Sequence, residues 1–289
     1  MPAAVNPPGS DPTQSVVAGQ VDASGFAAAA APVQAQTLVV TDGVGLIAGE
    51  VAIVSGEIEI PAYRAAPAHG RLAPALLIVH EVFGVHEHIK DVCRRFAHLG
   101  FFAVAPQLYF RQGDPAKISD VPTLIAQIVS KVPDSQVLAD LDAAASWAAA
   151  QGADANRLGI TGFCWGGRIC WLYAAHSPRL RAAIAWYGRL VGAATALTPS
   201  HPIDVAARLH VPVLGLYGGA DSSIPAQTIE NMKRALARNP GAGARSEFVV
   251  YPEAPHAFFA DYRPNYREAP ARDGWARCLA WLKANGIAP

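Results

Sequence analysis

An α/β fold with a mostly parallel central sheet, flanked by helices on both faces, is predicted by three features of this chain. Short and nearly continuous apolar runs recur along it, amphipathic stretches with apolar spacing of three and four separate them, and 52% of its 289 residues are hydrophobic. Strands covered on both faces read as continuous apolar runs, whereas half-exposed strands alternate.

The first organised signal follows Gly49. Residues 51–54 and 57–60 are β-like runs around Ser55 and Gly56, the pattern of a hairpin. Runs of buried-strand length follow at 76–79, 101–104, 158–160, 182–186, 213–217 and 248–251. Helical spacing occupies 86–99, 136–150, 166–176, 225–238 and 270–284. Strand alternating with helix implies parallel neighbours joined by right-handed crossovers. The mixed-charge stretch from Arg111 to Lys131 reads as a solvated loop and helix bordering a pocket. Residues 41–289 are expected to form one domain, a length within the ordinary range for an α/β unit.

Residues 1–40 read differently. They are rich in Ala, Pro, Gly, Gln and Ser, with five successive alanines from Ala27 to Ala31. Such residues bury little surface to offset chain entropy, so a loose extension that contributes nothing to the fold is one expectation. A degenerate export signal is the other. Ala27 to Ala31 followed by Val33, Gln34 and Ala35 has the form of an apolar region ending in a small-x-small cleavage site, although a basic start is missing. A cytoplasmic location is expected on the first reading. On the second, the mature chain is periplasmic or exported and begins near Gln36.

Charge and cysteine content exclude several classes. Twenty-three Lys and Arg balance twenty-three Asp and Glu, which removes the electrostatic case for a nucleic-acid partner. Residues 1–63 contain six acids and no Lys or Arg, so this stretch carries −6 and the remainder +6. No apolar run is long enough to span a bilayer, and a soluble monomer is expected. Cys93, Cys164, Cys170 and Cys278 are too scattered for a disulfide framework or structural zinc. His80, His86 and His88 with Glu81 and Glu87 fit no standard zinc spacing, so no metal is expected. The glycines between Gly43 and Gly49 lack the spacing and preceding strand of a dinucleotide loop, and no cofactor is expected.

Chemistry concentrates at Gly162-Phe163-Cys164-Trp165-Gly166-Gly167, which follows an apolar run and opens a helical stretch. This has the form of a nucleophile elbow, with cysteine where serine is more usual. Glycines on either side leave room for a strained turn, and a helix N-terminus favours thiolate. Cys93, Cys170 and Cys278 lie on apolar helix faces and read as inert core. A nucleophile of this kind needs a base and an orienting acid in the order nucleophile, acid, histidine. Asp221 follows the run 213–217 and His256 follows 248–251, each in a loop after a strand. His201 and His210 lack that context and read as surface or packing residues. The backbone amides of Val82 and Trp165 are the candidate oxyanion donors.

These residues resemble the dienelactone hydrolase family of α/β hydrolases, over roughly 45–285. The resemblance rests on the Cys164 elbow, on His80-Glu81-Val82-Phe83-Gly84-Val85, on Ala105 through Arg111, and on Pro255-His256-Ala257-Phe258. It implies an α/β-hydrolase fold and cofactor-free opening of a lactone or enol ester by Cys164, His256 and Asp221. It also implies that Glu81 stands against the resting thiol, and that Arg111 holds a substrate carboxylate. A carboxyl at the end of a buried strand would have its charged form disfavoured, so Glu81 could accept the thiol proton. The family's second substrate arginine falls where this chain reads Phe258-Phe259-Ala260, leaving Arg263 or Arg267 as substitutes. A broader carboxylesterase or thioesterase is the alternative in the same class. A non-catalytic binding protein of this fold is the alternative outside it.

Overall fold

The computed structural model describes residues 25–69 and 72–289. Expectations for residues 1–24 lie outside the described residues. Eight strands form one sheet in the order β1-β2-β4-β3-β5-β6-β7-β8. β1 (Leu46–Ser55) and β2 (Ile58–Pro67) make the expected hairpin, with Ser55 opposite Ile58 across a two-residue turn at Gly56. β2 pairs antiparallel with β4 (Phe102–Pro106). Every later pair is parallel, through β3 (Pro74–Val79), β5 (Asp154–Phe163), β6 (Leu180–Trp186), β7 (Val213–Gly218) and β8 (Glu247–Tyr251).

All residues of β3, β4 and β7 are buried, as continuous apolar runs require of strands covered on both faces. β1 and β8 form the edges and are mostly exposed or half-buried. The expected helices appear as α1 (Glu87–His98), α3 (Asp134–Ala150), α4 (Trp165–His176), α6 (Ala226–Ala237) and α7 (Glu268–Ala284). α2 (Val121–Gln127) lies within the stretch read as loop and helix, and Asp120 caps it by accepting the Thr123 N–H at 2.9 Å. α5 (Pro202–Val205) is a single turn, too short to leave a periodic signal. Among the described residues no helix is long and apolar enough to cross a membrane.

Chain order in the sheet reverses beside β3, with β4 on one side and β5 on the other. Loops leaving the carboxyl ends of the strands on either side diverge at such a point and leave a crevice. Glu81 and Val82 follow β3 and Cys164 follows β5 at this point, while Asp221 and His256 follow β7 and β8 at the same carboxyl edge.

Residues 25–40 correct the expectation of a loose extension. Phe26 is only 9% exposed, and Ala27, Ala29, Ala30 and Leu38 are buried with it. The Phe26 ring lies 5.3 Å from that of Tyr262 and 5.5 Å from that of His86. Gln34 N–H donates to the Tyr262 carbonyl at 2.8 Å, and Thr37 Oγ1 to that of Asp261 at 2.5 Å. Small residues bury little each, but they allow the backbone to lie close against the domain, and one aromatic anchors the segment. Cleavage near Gln36 would uncover the Tyr262 and His86 rings.

Replacing Phe26 with Ala is expected to cost about 3 kcal/mol, the range for a large buried aromatic. Deleting residues 1–40 should lower the unfolding midpoint at least as far. Urea titration of both variants checks this, and unchanged midpoints would place the segment outside the cooperative unit.

Candidate active site

β5 ends at Phe163 and α4 starts at Trp165, so Cys164 alone makes the turn between strand and helix. Its φ of 55° and ψ of −114° are strained for a residue with a β-carbon, at a cost on the order of 1–3 kcal/mol. Close approach of the backbone on both sides holds it there. A β-carbon on Gly166 would stand 2.3 Å from the Val79 carbonyl oxygen, and one on Gly162 2.5 Å from that of Gly166. The Cys164 N–H donates to Trp186 O at 3.0 Å and ties the turn to β6.

His256 and Asp221 come to this point from the loops after β8 and β7. Gly219 N–H donates to Tyr251 O at 2.7 Å and Ala220 N–H to Ala254 O at 3.0 Å, which fastens the two loops together. His256 Nδ1 donates to Asp221 Oδ2 at 2.6 Å. The other oxygen, Asp221 Oδ1, accepts from Ser223 N–H at 2.9 Å and Ser223 Oγ at 2.6 Å. Burial raises the Asp221 carboxyl, but the His256 contact and the Ser223 donors hold it below the usual carboxylate range. Burial opposes charge on His256 as well. The Cys164 sulfur and Asp221 overcome it and raise His256 from 6.5 to about 10. The structure therefore brings Cys164, His256 and Asp221 into one group in which the His256 imidazole is held toward its charged form.

A cavity of about 310 Å³ opens over Cys164. Val82, Trp165, Ile125, Val129 and Ile224 supply apolar wall, so the segment before α3 does border the pocket as expected. Among the described residues neither the Val82 nor the Trp165 amide donates a hydrogen bond, which leaves both available in the cavity. His80 supports them. Burial lowers its pKa to about 4, and the neutral ring donates from Nδ1 to Glu81 O at 2.7 Å while Nε2 accepts the Leu108 N–H at 3.2 Å. Its ring stacks on Trp165 at 5.4 Å. Tyr187, with φ of 38°, sets its ring edge-on to His256 at 5.1 Å.

Glu81 differs from the expectation in two respects. Among the described residues it has no hydrogen bond or ion pair to Cys164; Oε2 accepts from Tyr262 Oη at 2.6 Å. Its charged form is also favoured. Burial raises its pKa, but the His86 ring, 3.9 Å away, together with His88 and Arg263, brings it down to about 2. His86 is itself kept from charging by burial. His88 turns to Asp261 at 3.2 Å, so the three histidines serve separate contacts.

Arg111 does not face the cavity. Its Nη1 donates to the buried Asp140 carboxylate at 2.7 Å and its Nη2 to Ser55 O at 3.3 Å, which corrects its reading as the anion anchor. Arg263 lies over the Phe83 ring at 5.1 Å, and Arg267 donates to the carbonyls of Pro264 and Tyr266. The arginines of the cavity wall are Arg168 and Arg189, with His201 beside them. Sequence reasoning took His201 for a surface or packing residue and singled out neither arginine, because the cavity is assembled from segments distant in the chain. Cys93, Cys170 and Cys278 are buried, and burial pushes their thiols up.

A strained cysteine turn and an acid–histidine pair at the carboxyl edge of a mostly parallel sheet are features of α/β hydrolases. The profile of the dienelactone hydrolase family matches residues 60–286, and the chain belongs to that family. It is a carboxylic ester hydrolase similar to carboxymethylenebutenolidases. A Methylorubrum extorquens protein named "Putative carboxymethylenebutenolidase" is 60% identical over 267 residues, covering 92% of this chain and 91% of its own. An Escherichia coli (strain K12) protein of the same name is 55% identical over 265 residues, covering 91% and 96%. The crystal structure of a "Putative Dienelactone Hydrolase" from Klebsiella pneumoniae superposes with a TM-score of 0.80 at 58% identity, covering 82% of this chain and 98% of that one.

Because the His256 value lies above the ordinary 6.5, its charged form stabilises the fold fully below about pH 6.5, and this contribution disappears as pH rises through about 10. In an NMR titration His256 is expected to keep its proton through neutrality. Cys164→Ala removes the first of the favourable influences, so the midpoint should move down. A midpoint that stays in place would assign the whole shift to Asp221.

Proposed function

We propose that the protein hydrolyses a small lactone or enol ester, of the type carboxymethylenebutenolide to maleylacetate, through Cys164, His256 and Asp221. The observation that carries this reading is the imidazole of His256, held to Asp221 at 2.6 Å and raised to about 10 by its nearness to Cys164. A cysteine beside an imidazole held in this way has the base and general acid of nucleophilic catalysis within reach.

In the first half-reaction the Cys164 thiolate attacks the ester carbonyl and a C–S bond forms. The Val82 and Trp165 amides donate to the resulting oxyanion. Collapse breaks the acyl C–O bond, and the His256 imidazolium gives its proton to the leaving oxygen. In a lactone that oxygen stays tethered to the thioester. His256, now neutral, takes a proton from water as the water attacks the thioester; the C–S bond breaks, and the acid leaves with the thiolate and imidazolium restored. Glu81 is bonded to Tyr262 through Oε2, while its Oε1 has no hydrogen-bond partner among the described residues. In this reading its resting role is to hold the loop that presents the Val82 amide.

A broader carboxylesterase or thioesterase is the second reading, favoured by the apolar cavity wall at Ile125, Val129 and Ile224. Turnover of a dienelactone beside simple aryl esters separates the two. Cys164→Ala is expected to abolish hydrolysis while leaving the fold intact, and iodoacetamide should label Cys164 long before the three buried thiols. Residual kcat/KM within about tenfold of the parent, little more than 1 kcal/mol of transition-state stabilisation, would sink the assignment.

A further inference from the structure

We infer that the protein has a second ligand site, in a cavity bounded by α1, α7 and the loop after His256, and that this site takes an uncharged aromatic molecule bearing a carbonyl oxygen. The cavity measures about 310 Å³, at the small end of the range for ligand pockets. It shares no wall residue with the cavity over Cys164. Its apolar wall is largely aromatic. The Phe259 and Trp275 rings are stacked at 5.8 Å, and Tyr266, Leu99 and Leu279 extend the surface around them.

Arg95 is the deepest polar group of this wall, with a side chain only 9% exposed. Its Nε donates to Asp91 at 2.5 Å, and its Nη2 donates to Asp261 at 2.5 Å and to Val39 O at 3.5 Å. Nη1 donates to no described residue, and neither do the Tyr266 hydroxyl and Trp275 Nε1. A donor so enclosed calls for an acceptor, and the cavity is the side from which one can come. Charge decides which acceptor fits. Arg95 is offset by Asp91 and Asp261, and Arg272 at the rim by Glu268 at 3.5 Å. A carboxylate at Nη1 would lose its water beside Asp261, itself part of the wall, and an ammonium would lose its water beside Arg95. A neutral carbonyl oxygen avoids both penalties and still accepts a charge-assisted hydrogen bond. No existing pair has to break for it, and the guanidinium is already held in place by Asp91, Asp261 and the Val39 carbonyl. An aromatic ring on that carbonyl fills the space against Phe259 and Trp275.

The probes are acetophenone and its charged counterparts benzoate and benzylammonium, added to the full chain. Binding is read from the indole N–H resonance of Trp275, identified by its loss in Trp275→Phe. Acetophenone should shift that resonance saturably, with a Kd of roughly 1 mM or tighter. Both ions should bind at least about tenfold more weakly. Ala276 is exposed on the wall, so Ala276→Phe should fill the cavity without disturbing the core. That variant should weaken acetophenone by more than about tenfold and leave the rate of Cys164 alkylation by iodoacetamide unchanged. With the ketone labelled by 13C at its carbonyl, the bound resonance should stay at or downfield of its position in water, as acceptance from a guanidinium requires. Absence of a saturable shift overturns the inference, as does tighter binding of either ion. A titration insensitive to Ala276→Phe would seat the ketone elsewhere, and a carbonyl resonance moved toward its position in an apolar solvent would leave the oxygen unpaired; either result also overturns it. None of these readouts needs turnover, so failure of the hydrolytic reading would leave the test intact.

Discussion

The close passage of two backbones at Gly166 is the constraint on which the rest of the site depends. With no β-carbon there, the first turn of α4 lies directly against the Val79 and His80 carbonyls at the end of β3. Three consequences follow from that contact. Cys164 is forced into a strained turn that presents its side chain to the cavity, the Trp165 amide is left without an acceptor, and the loop carrying Val82 is brought beside it. The Cys164 side chain and the Val82 and Trp165 amides therefore share one rigid origin, which the proposed reaction requires of a nucleophile and its oxyanion donors. A larger residue at Gly166 would separate β3 from α4 and move all three together.

Behind this surface lies a buried set of charges that connects α1, the loop following His256 and the N-terminal segment. Arg95 holds Asp91 and Asp261 at 2.5 Å each, His88 meets Asp261 at 3.2 Å, and Thr41 N–H donates to Asp91 at 2.6 Å. Buried pairs contribute little net stability, yet removing one member leaves an uncompensated charge. Their geometric effect is clearer here. Asp261 is adjacent to Tyr262, whose hydroxyl holds Glu81 and whose ring carries Phe26. The segment 25–41 thus backs the same loop that carries His256, and through Tyr262 it reaches the loop that carries Val82.

How much of this was legible in the sequence divides along physical lines. The sheet strands and the five long helices were readable, because buried strands and amphipathic helices each leave a periodic trace. Cys164, Asp221 and His256 were readable because each sits at a fixed place after an apolar run. Arg111 was misread, since its partner Asp140 is 29 positions away and nothing local marks it. Glu81 lies in the loop after β3, but its partner there is Tyr262 and its charge depends on His86, His88 and Arg263, groups that only the fold assembles. Residues 25–40 have the composition of a loose tail, and composition records neither close backbone packing nor the anchoring of one phenylalanine.

The contrast among the arginines follows from the same physics. A guanidinium taken out of water must be matched by a carboxylate, and Arg95, Arg111 and Arg168 are each matched in that way. A matched guanidinium has little to offer an anion, because binding would first have to break an existing pair. A cation that is to recognise an anion must remain hydrated until the ligand arrives, so that a carboxylate displaces water and no carboxylate of the protein. It must also be held where the ligand will sit, since ordering a wholly mobile group would consume much of the interaction. Arg189, exposed on the cavity wall, has no such carboxylate partner among the described residues. Residue type alone could not have distinguished it from Arg111; the difference is the presence or absence of a buried carboxylate at the end of the side chain.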